Sequence, residues 1–488
     1  MGSDMDGLKE ASLFRTQAFL AGEWVDADNG ETFDVRNPAD GKMLARVPKM
    51  REAETRRAID SARAAWPLWR SKTPKERGLI LRHWSDLMLE HADELARILT
   101  AEQGKPLAEA KGEIQYAASF LDWFAEEGKR IYGEVIPSPW PQSRVVVLKE
   151  SVGVCAAITP WNFPAAMITR KVAPALAAGC PIIVKPAEAT PLTALAMAEL
   201  ATRAGVPAGV LAVITGDPIA IGKELTGNTT VRKLSFTGST ATGRLLMAQC
   251  ASSIKKLSLE LGGNAPFLVF EDANLDAAVE GAMQSKYRNS GQTCVCANRI
   301  YVQESIYEEF AEKLCDAVRK LKVGIGIQAG VTQGPLINES AVRKVESHIA
   351  DAVANGASIL VGGDRHELGG TFFQPTVLGN VRVDMKIAKE EVFGPVAPLF
   401  RFSSEEDAIQ QANDTEFGLA AYIYTRDLGR VWRVSEGLEY GMVAVNSGIL
   451  STEVAPFGGM KQSGLGREGS HLGIDEYLEV KYVLHSGL

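Results

Sequence analysis

One cysteine has neighbours that favour chemistry at its sulfur. Cys294 lies among small and polar residues in the stretch 289–299, three positions after Gly291. Such a stretch is a poor core segment, because glycine lets the backbone approach a ligand closely and small neighbours leave the sulfur accessible. The alternative is a loop thiol with no catalytic role, which is the commoner case for a single cysteine.

A carboxylate upstream offers a base for such a thiol. Glu260 stands in the run Leu-Glu-Leu-Gly-Gly-Asn at 259–264, whose glycines let the backbone bend sharply. A nucleophilic thiol needs a base, and a carboxylate held in apolar surroundings can be one. The six histidines lie away from these stretches, which argues against a Cys–His pair. Spacing along the chain leaves open whether Cys294 and Glu260 meet in space.

Five motifs of the chain together resemble the NAD(P)-dependent aldehyde dehydrogenase superfamily, in which they occur in the same order. They are Pro160-Trp161-Asn162-Phe163-Pro164, Lys185-Pro186-Ala187-Glu188, the run at 259–264, Gly291-Gln292-Thr293-Cys294 and Glu391-Val392-Phe393-Gly394-Pro395. The likeness extends from about Phe19 to the last residues. It implies an α/β fold with two parallel-sheet domains, one Rossmann-like for the cofactor and one catalytic, plus a small oligomerisation sheet.

Size and composition are those of an ordinary globular protein. The chain has 488 residues, 46% hydrophobic and 23% charged, enough for two or three domains. A net charge of −8 argues against nucleic acid as the main partner. No apolar run reaches the roughly 18 residues of a membrane helix, and the first residues lack the features of a signal peptide. Six irregularly spaced cysteines do not make a disulfide scaffold, so we expect a cytoplasmic, reducing setting.

The pattern of elements agrees with that architecture. Residues 51–127 have helical periodicity, and from 144 onward short apolar runs alternate with helices, which predicts parallel sheets covered on both faces. We assign residues 1–127 and 148–262 to a cofactor domain, 263–446 to a catalytic domain, and 128–147 with 447–488 to an oligomerisation segment and tail. The tail at 477–484 alternates like a strand without a neighbouring hairpin mate, so it needs a partner strand. The resemblance implies a homodimer or homotetramer.

The cofactor site is expected beyond the carboxyl ends of the strands, where Asn162, Lys185 and Gly238 fall. The glycines at 238 and 243 are a weak fingerprint that also fits a plain strand-to-helix turn, although amides at a helix N-terminus suit an anion. The resemblance implies that the cofactor contacts are Thr159, Trp161, Asn162, Lys185, Ala187, Glu188, Gly238, Ser239, Leu261, Glu391 and Phe393.

Cofactor choice depends on Lys185 and Glu188, which the resemblance places at the adenosine ribose. A carboxylate binds ribose hydroxyls well and repels a 2′-phosphate, so we expect NAD to be preferred, with NADP possible because Lys185 is near. The alternative for this pair is a surface ion pair of little consequence.

The mechanism implied by the resemblance gives each catalytic residue a task. Cys294 attacks the aldehyde carbon, the Asn162 amide and the Cys294 backbone N–H bind the oxyanion, and Glu260 activates the hydrolytic water. Asn162 could also cap the helix that follows it.

A second cysteine, Cys296, lies two residues after the candidate nucleophile. It is either a packing thiol or one half of a strained, reversible Cys294–Cys296 disulfide. We expect no metal site at these motifs, because no further ligand cluster lies nearby.

The substrate is expected to be a semialdehyde that carries a carboxylate. The stretches at 167–171, 287–296 and 448–451 resemble those of succinate-semialdehyde dehydrogenases, in which Arg170, Arg288 and Ser451 would bind the carboxylate. Structural salt bridges are the alternative for the two arginines. Glutarate semialdehyde, one methylene longer, and a broader range of aldehydes are alternative substrates. A silent protein with the same fold would have no need of Cys294, Glu260 and Asn162 together.

Overall fold

A computed structural model describes residues 8–487, and its first sheet has eight strands. The five central strands are parallel, and Gly464–Leu465 on one side and Ala18–Leu20 on the other run antiparallel to them. The last strand, Glu23–Val25, is antiparallel to Ala18–Leu20. In spatial order they are Gly464–Leu465, Lys256–Glu260, Val231–Thr237, Val154–Ile158, Ile182–Lys185, Leu211–Val213, Ala18–Leu20 and Glu23–Val25.

The strand order reverses between Val154–Ile158 and Val231–Thr237, which lie side by side although two other strands separate them along the chain. Such a switch point opens a crevice at the carboxyl ends of the strands. The loops that carry Asn162 and Gly238 follow these two strands. The expectation that these residues lie at the same sheet edge is confirmed.

Seven strands form the second sheet within the described residues. It is parallel apart from one antiparallel edge strand. Its order is Ser358–Val361, Thr376–Gly379, Val396–Phe402, Ala297–Gln303, Ala265–Val269, Ala420–Tyr424 and Met442–Val445. The two parallel-sheet bodies that the sequence predicted are therefore both present.

Helices cover both sheets, and the N-terminal third contains four long ones, as its periodicity predicted. Trp69 and Trp84 from these helices are buried, whereas Trp66 and Trp123 are partly exposed. The helices are Glu52–Ser71, Pro74–Glu90, Ala92–Gln103, Leu107–Glu127, Ala166–Ala178, Pro191–Arg203, Pro218–Gly227, Thr240–Cys250, Leu275–Lys286, Tyr307–Val318, Glu339–Ala354, Lys386–Lys389, Glu405–Asn413, Leu428–Gly437 and Leu472–Asp475.

The tail finds the partner strand that its pattern required. Leu478–Ser486 pairs antiparallel with Ser143–Ser151 over nine positions, and Glu134–Ile136 adds a third strand. Val135, Val480 and Tyr482 leave this small sheet with exposed apolar side chains. The small sheet is thus confirmed, and its role in oligomerisation stays a prediction.

Some elements were not anticipated from the sequence. Thr32–Arg36 and Met43–Pro48 form a separate antiparallel pair near the N-terminus. The short strand Gly464–Leu465, which belongs to the segment predicted as tail, joins the first sheet beside Glu260. Among the described residues, no helix is long and apolar enough to cross a membrane.

Candidate active site

The two sheets meet at a cleft between the carboxyl ends of the first and the amino ends of the second. The chain crosses this cleft directly, from Glu260 at the end of one strand to Ala265 at the start of the next. Cys294 stands just before Ala297–Gln303, at the amino end of the second sheet. A cavity of about 350 Å³ lies here; its walls include Pro160, Trp161, Asn162, Thr237, Gly238, Ser239, Leu261, Gly262, Cys294, Glu391 and Phe393.

Glycines let the loops of this cleft pack backbone against backbone. Asn289, Ser290 and Gly291 have φ values of 51°, 55° and 74°, so the chain before Cys294 runs left-handed for three residues. A Cβ on Gly291 would collide with the Gly394 carbonyl, and one on Gly263 would lie 2.5 Å from the Cys294 carbonyl. Gly291, which suggested close approach to a ligand, thus lets the loop 289–294 pack against the backbone at Gly394. This loop carries the candidate nucleophile and is named the nucleophile loop.

Cys294 is partly exposed and lines the cavity, while the other five cysteines are buried. Burial raises the pKa of the Cys294 thiol to about 12, and the positive charges of Arg170 and Arg288 oppose that shift. The thiol is therefore neutral at pH 7, and a base near it is a chemical requirement for attack.

Glu260 has the environment of such a base. It is 4% exposed, and its Oε2 has no hydrogen-bond partner within residues 8–487. Burial, reinforced by the negative charge of Glu468, raises the pKa of Glu260 well above its usual range. A raised pKa makes the carboxylate a stronger base, which suits the role that the sequence argument gave it.

Behind Glu260 lies a buried charge network that sequence analysis did not single out. The Glu468 carboxylate forms ion pairs with the ammonium of Lys171 at 2.5 Å and the guanidinium of Arg170 at 2.8 Å. Lys171 also donates to Thr237 Oγ1 at 2.6 Å. A sequence signal existed, because two cations in a helix whose thirteen residues are all buried demand a counter-charge.

Asn162, the expected oxyanion donor, lies in the cavity wall together with Cys294. It is buried in the cavity wall, and its side-chain amide donates one hydrogen bond of 3.0 Å to the Gln292 carbonyl. An amide has two N–H donors, so one is left for a ligand oxygen. The alternative role as a helix cap is wrong: the N-cap of Ala166–Ala178 is Ala165, three residues after Asn162.

The Asn162 loop is held by a buried ion pair that sequence analysis also missed. Lys105 contacts Glu113 at 2.6 Å and donates a 2.7 Å hydrogen bond to the Asn162 carbonyl. The second oxygen of Glu113 accepts from the amides of Ala165 and Ala166, which caps the following helix. Asn289, in the nucleophile loop, donates to the same Asn162 carbonyl at 3.0 Å.

Seven of the eleven expected cofactor contacts, Asn162 among them, line the same cavity. Trp161 and Phe393 meet edge to face, with ring centroids 5.5 Å apart. Glu391 accepts the Gly263 amide at 3.2 Å, and burial raises the pKa of Glu391 to about 7. Ser239 caps the helix Thr240–Cys250 by accepting the Thr242 amide. Gly238 and Leu261 complete the set.

The other expected contacts lie one strand further along the same sheet edge. The Thr159 amide donates to the Lys185 carbonyl at 3.1 Å, and Lys185 forms an ion pair with Glu188. Ala187 and Glu188 are partly exposed, whereas Lys185 is buried. This edge and the cavity together offer a cation, a carboxylate, the amides at the start of a helix and two aromatic rings. Such a set suits an extended dinucleotide.

The three predicted substrate residues differ in their surroundings. Arg170 is 2% exposed and pairs with Glu468, so the salt-bridge alternative holds for part of its guanidinium; its Nη2 has no partner within the described range. Arg288 is partly exposed, and its guanidinium lies 5.4 Å from the centre of the Phe163 ring. Ser451 is partly buried in the loop after the last strand of the second sheet.

Cys296 is 5% exposed, and its thiol points at the Lys286 carbonyl at 3.4 Å. This environment suits a packing thiol, and all six cysteines are free. The regulatory disulfide stays a prediction. In the part of the chain that the structure describes, no group of three or more His, Cys, Asp or Glu is placed to hold a metal ion.

The chain is similar to well-characterised sequences and structures. The aldehyde dehydrogenase family matches residues 24–483. Over 476 residues the chain is 66% identical to the NADP(+) succinate-semialdehyde dehydrogenase of Escherichia coli K12, covering 98% of this chain and 99% of that protein. It is 63% identical over 481 residues to the glutarate-semialdehyde dehydrogenase of Pseudomonas aeruginosa, covering 99% and 100%. The crystal structure of succinate-semialdehyde dehydrogenase from Burkholderia pseudomallei superposes with a TM-score of 0.98 at 67% identity, covering 99% and 100%.

Proposed function

The chain belongs to the aldehyde dehydrogenase family, and we propose that it oxidises succinate semialdehyde to succinate with a nicotinamide dinucleotide, preferring NAD. Aldehyde, water and oxidised cofactor give acid, reduced cofactor and a proton. The observation that carries this proposal is the cavity that holds Cys294 and Asn162 together with Glu391 and Phe393.

Addition to the aldehyde is the task of Cys294 and Asn162. The sulfur bonds to the aldehyde carbon, and the thiol proton passes to a base. Glu260 is the candidate, because its charge acts on this thiol and its own pKa is raised. The carbonyl oxygen becomes an oxyanion, which the free N–H of the Asn162 amide and the Cys294 backbone N–H would stabilise. Loss of one such donor typically costs about 10²–10³ in rate.

Oxidation and hydrolysis complete the cycle. When bound, the nicotinamide would supply the acceptor for the hydride that leaves the aldehyde carbon bonded to the Cys294 sulfur. Glu391 would hold the adjoining ribose, and the aromatic pair of Trp161 and Phe393 would exclude water from that side. Glu260 releases the thiol proton to solvent and then takes a proton from the water that cleaves the thioester. Cys294 leaves as thiolate and regains a proton from Glu260.

The preference for NAD depends on Glu188. Its carboxylate sits beside Lys185 at the outer end of the groove, where it would bind the ribose hydroxyls and repel a 2′-phosphate. The 66% identical relative from Escherichia coli is named as an NADP(+) enzyme. NADP is therefore the second candidate cofactor, and the Lys185 ammonium is the group that would bind its 2′-phosphate.

A carboxylated substrate is supported by the positive charge around the thiol. Arg170 and Arg288 are the two cations that most favour a negative charge on Cys294, so an anionic aldehyde would lie between them and the sulfur. Glutarate semialdehyde is the alternative, because a relative at 63% identity is named for it and one methylene changes affinity by only about 1–3 kcal/mol.

Assembly of copies is supported by the small sheet. Val135, Val480 and Tyr482 are 75%, 68% and 57% exposed on its three-stranded surface. Exposed apolar strands of this kind need a cover. We infer a homodimer or homotetramer in which a second copy supplies it, and measurement of the solution mass would test this.

The deciding experiment follows reduced cofactor by its absorbance with succinate semialdehyde, glutarate semialdehyde and butanal, each with NAD and with NADP. The proposal expects the highest kcat/KM for succinate semialdehyde with NAD. Equal kcat/KM for butanal and for the acid aldehydes would overturn the substrate class. Higher kcat/KM with NADP than with NAD would overturn the cofactor preference alone.

A further inference from the structure

A buried hydroxyl group lies near the proposed substrate without a partner of its own. Tyr116 is on the helix Leu107–Glu127, which packs against the helix Ala166–Ala178 that carries Arg170. Its Oη is inaccessible to solvent and makes no hydrogen bond within residues 8–487. Leaving a buried hydroxyl unpaired costs free energy, so a position that retains one has a reason to do so.

Ring contacts link Tyr116 to Arg170 through Phe120. The Tyr116 and Phe120 rings are 5.0 Å apart, and the Arg170 guanidinium lies 5.7 Å from the Phe120 ring and 3.9 Å from that of Phe457. The charges that act most strongly on the Tyr116 hydroxyl are those of Arg170 and Arg288. Tyr116 therefore lies at the same anionic site as the expected substrate arginines.

Two carboxylates also face this hydroxyl, Glu468 and Glu453. Both have other partners: Glu468 is held by Lys171 and Arg170, and Glu453 accepts from Ser119 at 3.2 Å. Arg170 Nη2, by contrast, is buried and unpaired among the described residues, as Tyr116 Oη is. Two orphan donors near each other form a site for an acceptor that the protein itself does not supply.

We propose that Tyr116 Oη donates a hydrogen bond to the carboxylate of the aldehyde substrate and is a specificity-determining residue together with Arg170 and Arg288. This inference rests on the proposed function, because it needs an anionic substrate bound in front of Cys294. A neutral aldehyde would leave both orphan donors unpaired, whereas a carboxylate satisfies them; such unpaired polar groups are a strong source of discrimination.

The test compares wild type with Tyr116→Phe, which removes one oxygen and keeps the ring. We expect KM for succinate semialdehyde to rise about tenfold or more, with kcat within about twofold, and KM for butanal to stay unchanged. Because the hydroxyl is unpaired, the variant should be as stable as wild type in thermal unfolding. Tyr307→Phe is the matched control; its buried hydroxyl accepts the Asn380 amide far from this site, so neither KM should change.

The outcomes separate this inference from the function on which it rests. If wild type strongly prefers the acid aldehyde and Tyr116→Phe retains the full preference, Tyr116 is not a substrate ligand and the proposed function stands. An equal rise of KM for both aldehydes, or a loss of stability, would mark the hydroxyl as structural and overturn the inference. If wild type has no preference for the acid aldehyde, the proposed function and the inference both fail.

Discussion

The buried ammonium of Lys105 donates a hydrogen bond of 2.7 Å to the backbone carbonyl of Asn162, whose side chain is the expected oxyanion donor. The same ammonium pairs with Glu113 and lies 3.8 Å from the centre of the Phe163 ring. Asn289 from the nucleophile loop shares the Asn162 carbonyl. The position of the oxyanion donor is thus tied to the nucleophile loop and to a charge on a third element.

Replacing Lys105 should therefore reduce both stability and turnover. Lys105→Met leaves the Glu113 carboxylate buried and unpaired, which should cost about 3–5 kcal/mol of unfolding free energy. Adding Glu113→Gln removes that charge and keeps an acceptor for the Ala165 amide, so the double variant should recover stability but not kcat. Urea unfolding and initial rates measure the two effects.

Lys111→Met is the control for this pair. Lys111 lies on the same helix as Glu113 and forms an exposed ion pair with Asp93, so its replacement should change the free energy of unfolding by less than about 1 kcal/mol. Full recovery of kcat in the double variant would show that Lys105 supports the fold without positioning Asn162.

Removal of the Cys294 sulfur should abolish oxidation but leave cofactor binding intact. Cys294→Ala takes away the sulfur that bonds to the aldehyde carbon, so kcat should fall by more than about a thousandfold. NAD should still quench tryptophan fluorescence, because Trp161, Glu391 and Lys185 are unchanged. Substantial residual turnover would remove Cys294 from its role.

The protonation state of Cys294 can be read from its reaction with iodoacetamide. Its thiol has a pKa raised to about 12, so the thiolate fraction, and with it the alkylation rate, should grow about tenfold per pH unit from pH 7 to 9. Cys294→Ala reports the background from the five buried cysteines. A rate that levels off below pH 8 would mean that the free enzyme already holds a thiolate.

The sequence was informative wherever the pattern is local. Short apolar runs between helices predicted parallel strands, among them Val154–Ile158 and Val231–Thr237. A strand pattern without a neighbouring mate placed the tail in a sheet. Motif resemblance named residues of the cavity wall, and in this chain Gly263 and Gly291 of those motifs make backbone contacts that leave no room for a Cβ.

What escaped the sequence depends on contacts between distant parts of the chain. Lys105 reaches Asn162 across 57 positions, and Lys171 reaches Glu468 across 297. A charged residue in an apolar helix signals that a partner exists, but the partner's identity comes only from the fold. The same holds for Arg170, whose ion pair with Glu468 was not predicted although its substrate role was.

Cofactor preference should change when the Glu188 carboxylate is removed. Glu188→Ser ends the repulsion of a 2′-phosphate and frees the Lys185 ammonium to pair with it. The ratio of kcat/KM for NADP to that for NAD should therefore rise by about tenfold or more, a change of about 1.4 kcal/mol. Glu367→Ser, at an exposed position of the second domain, should leave the ratio unchanged. An unchanged ratio in Glu188→Ser would mean that the adenosine ribose lies elsewhere.

Arg288 gives the cleanest test of an anionic substrate. Arg170→Met would strand the buried Glu468, so its effect on activity would be mixed with a loss of stability. Arg288 is partly exposed and its guanidinium lies over the Phe163 ring, so Arg288→Met should fold normally. A hydrogen bond to a charged group contributes about 1.5–3 kcal/mol, which predicts a fall of about ten- to a hundredfold in kcat/KM for succinate semialdehyde.

Two controls accompany this variant. The kcat/KM for butanal, which has no carboxylate, should fall by less than about threefold in Arg288→Met. Arg319→Met removes an exposed ion pair with Asp316 and should change kcat/KM for neither substrate. Equal losses for both aldehydes would mean that Arg288 shapes the cavity without binding the substrate's charge.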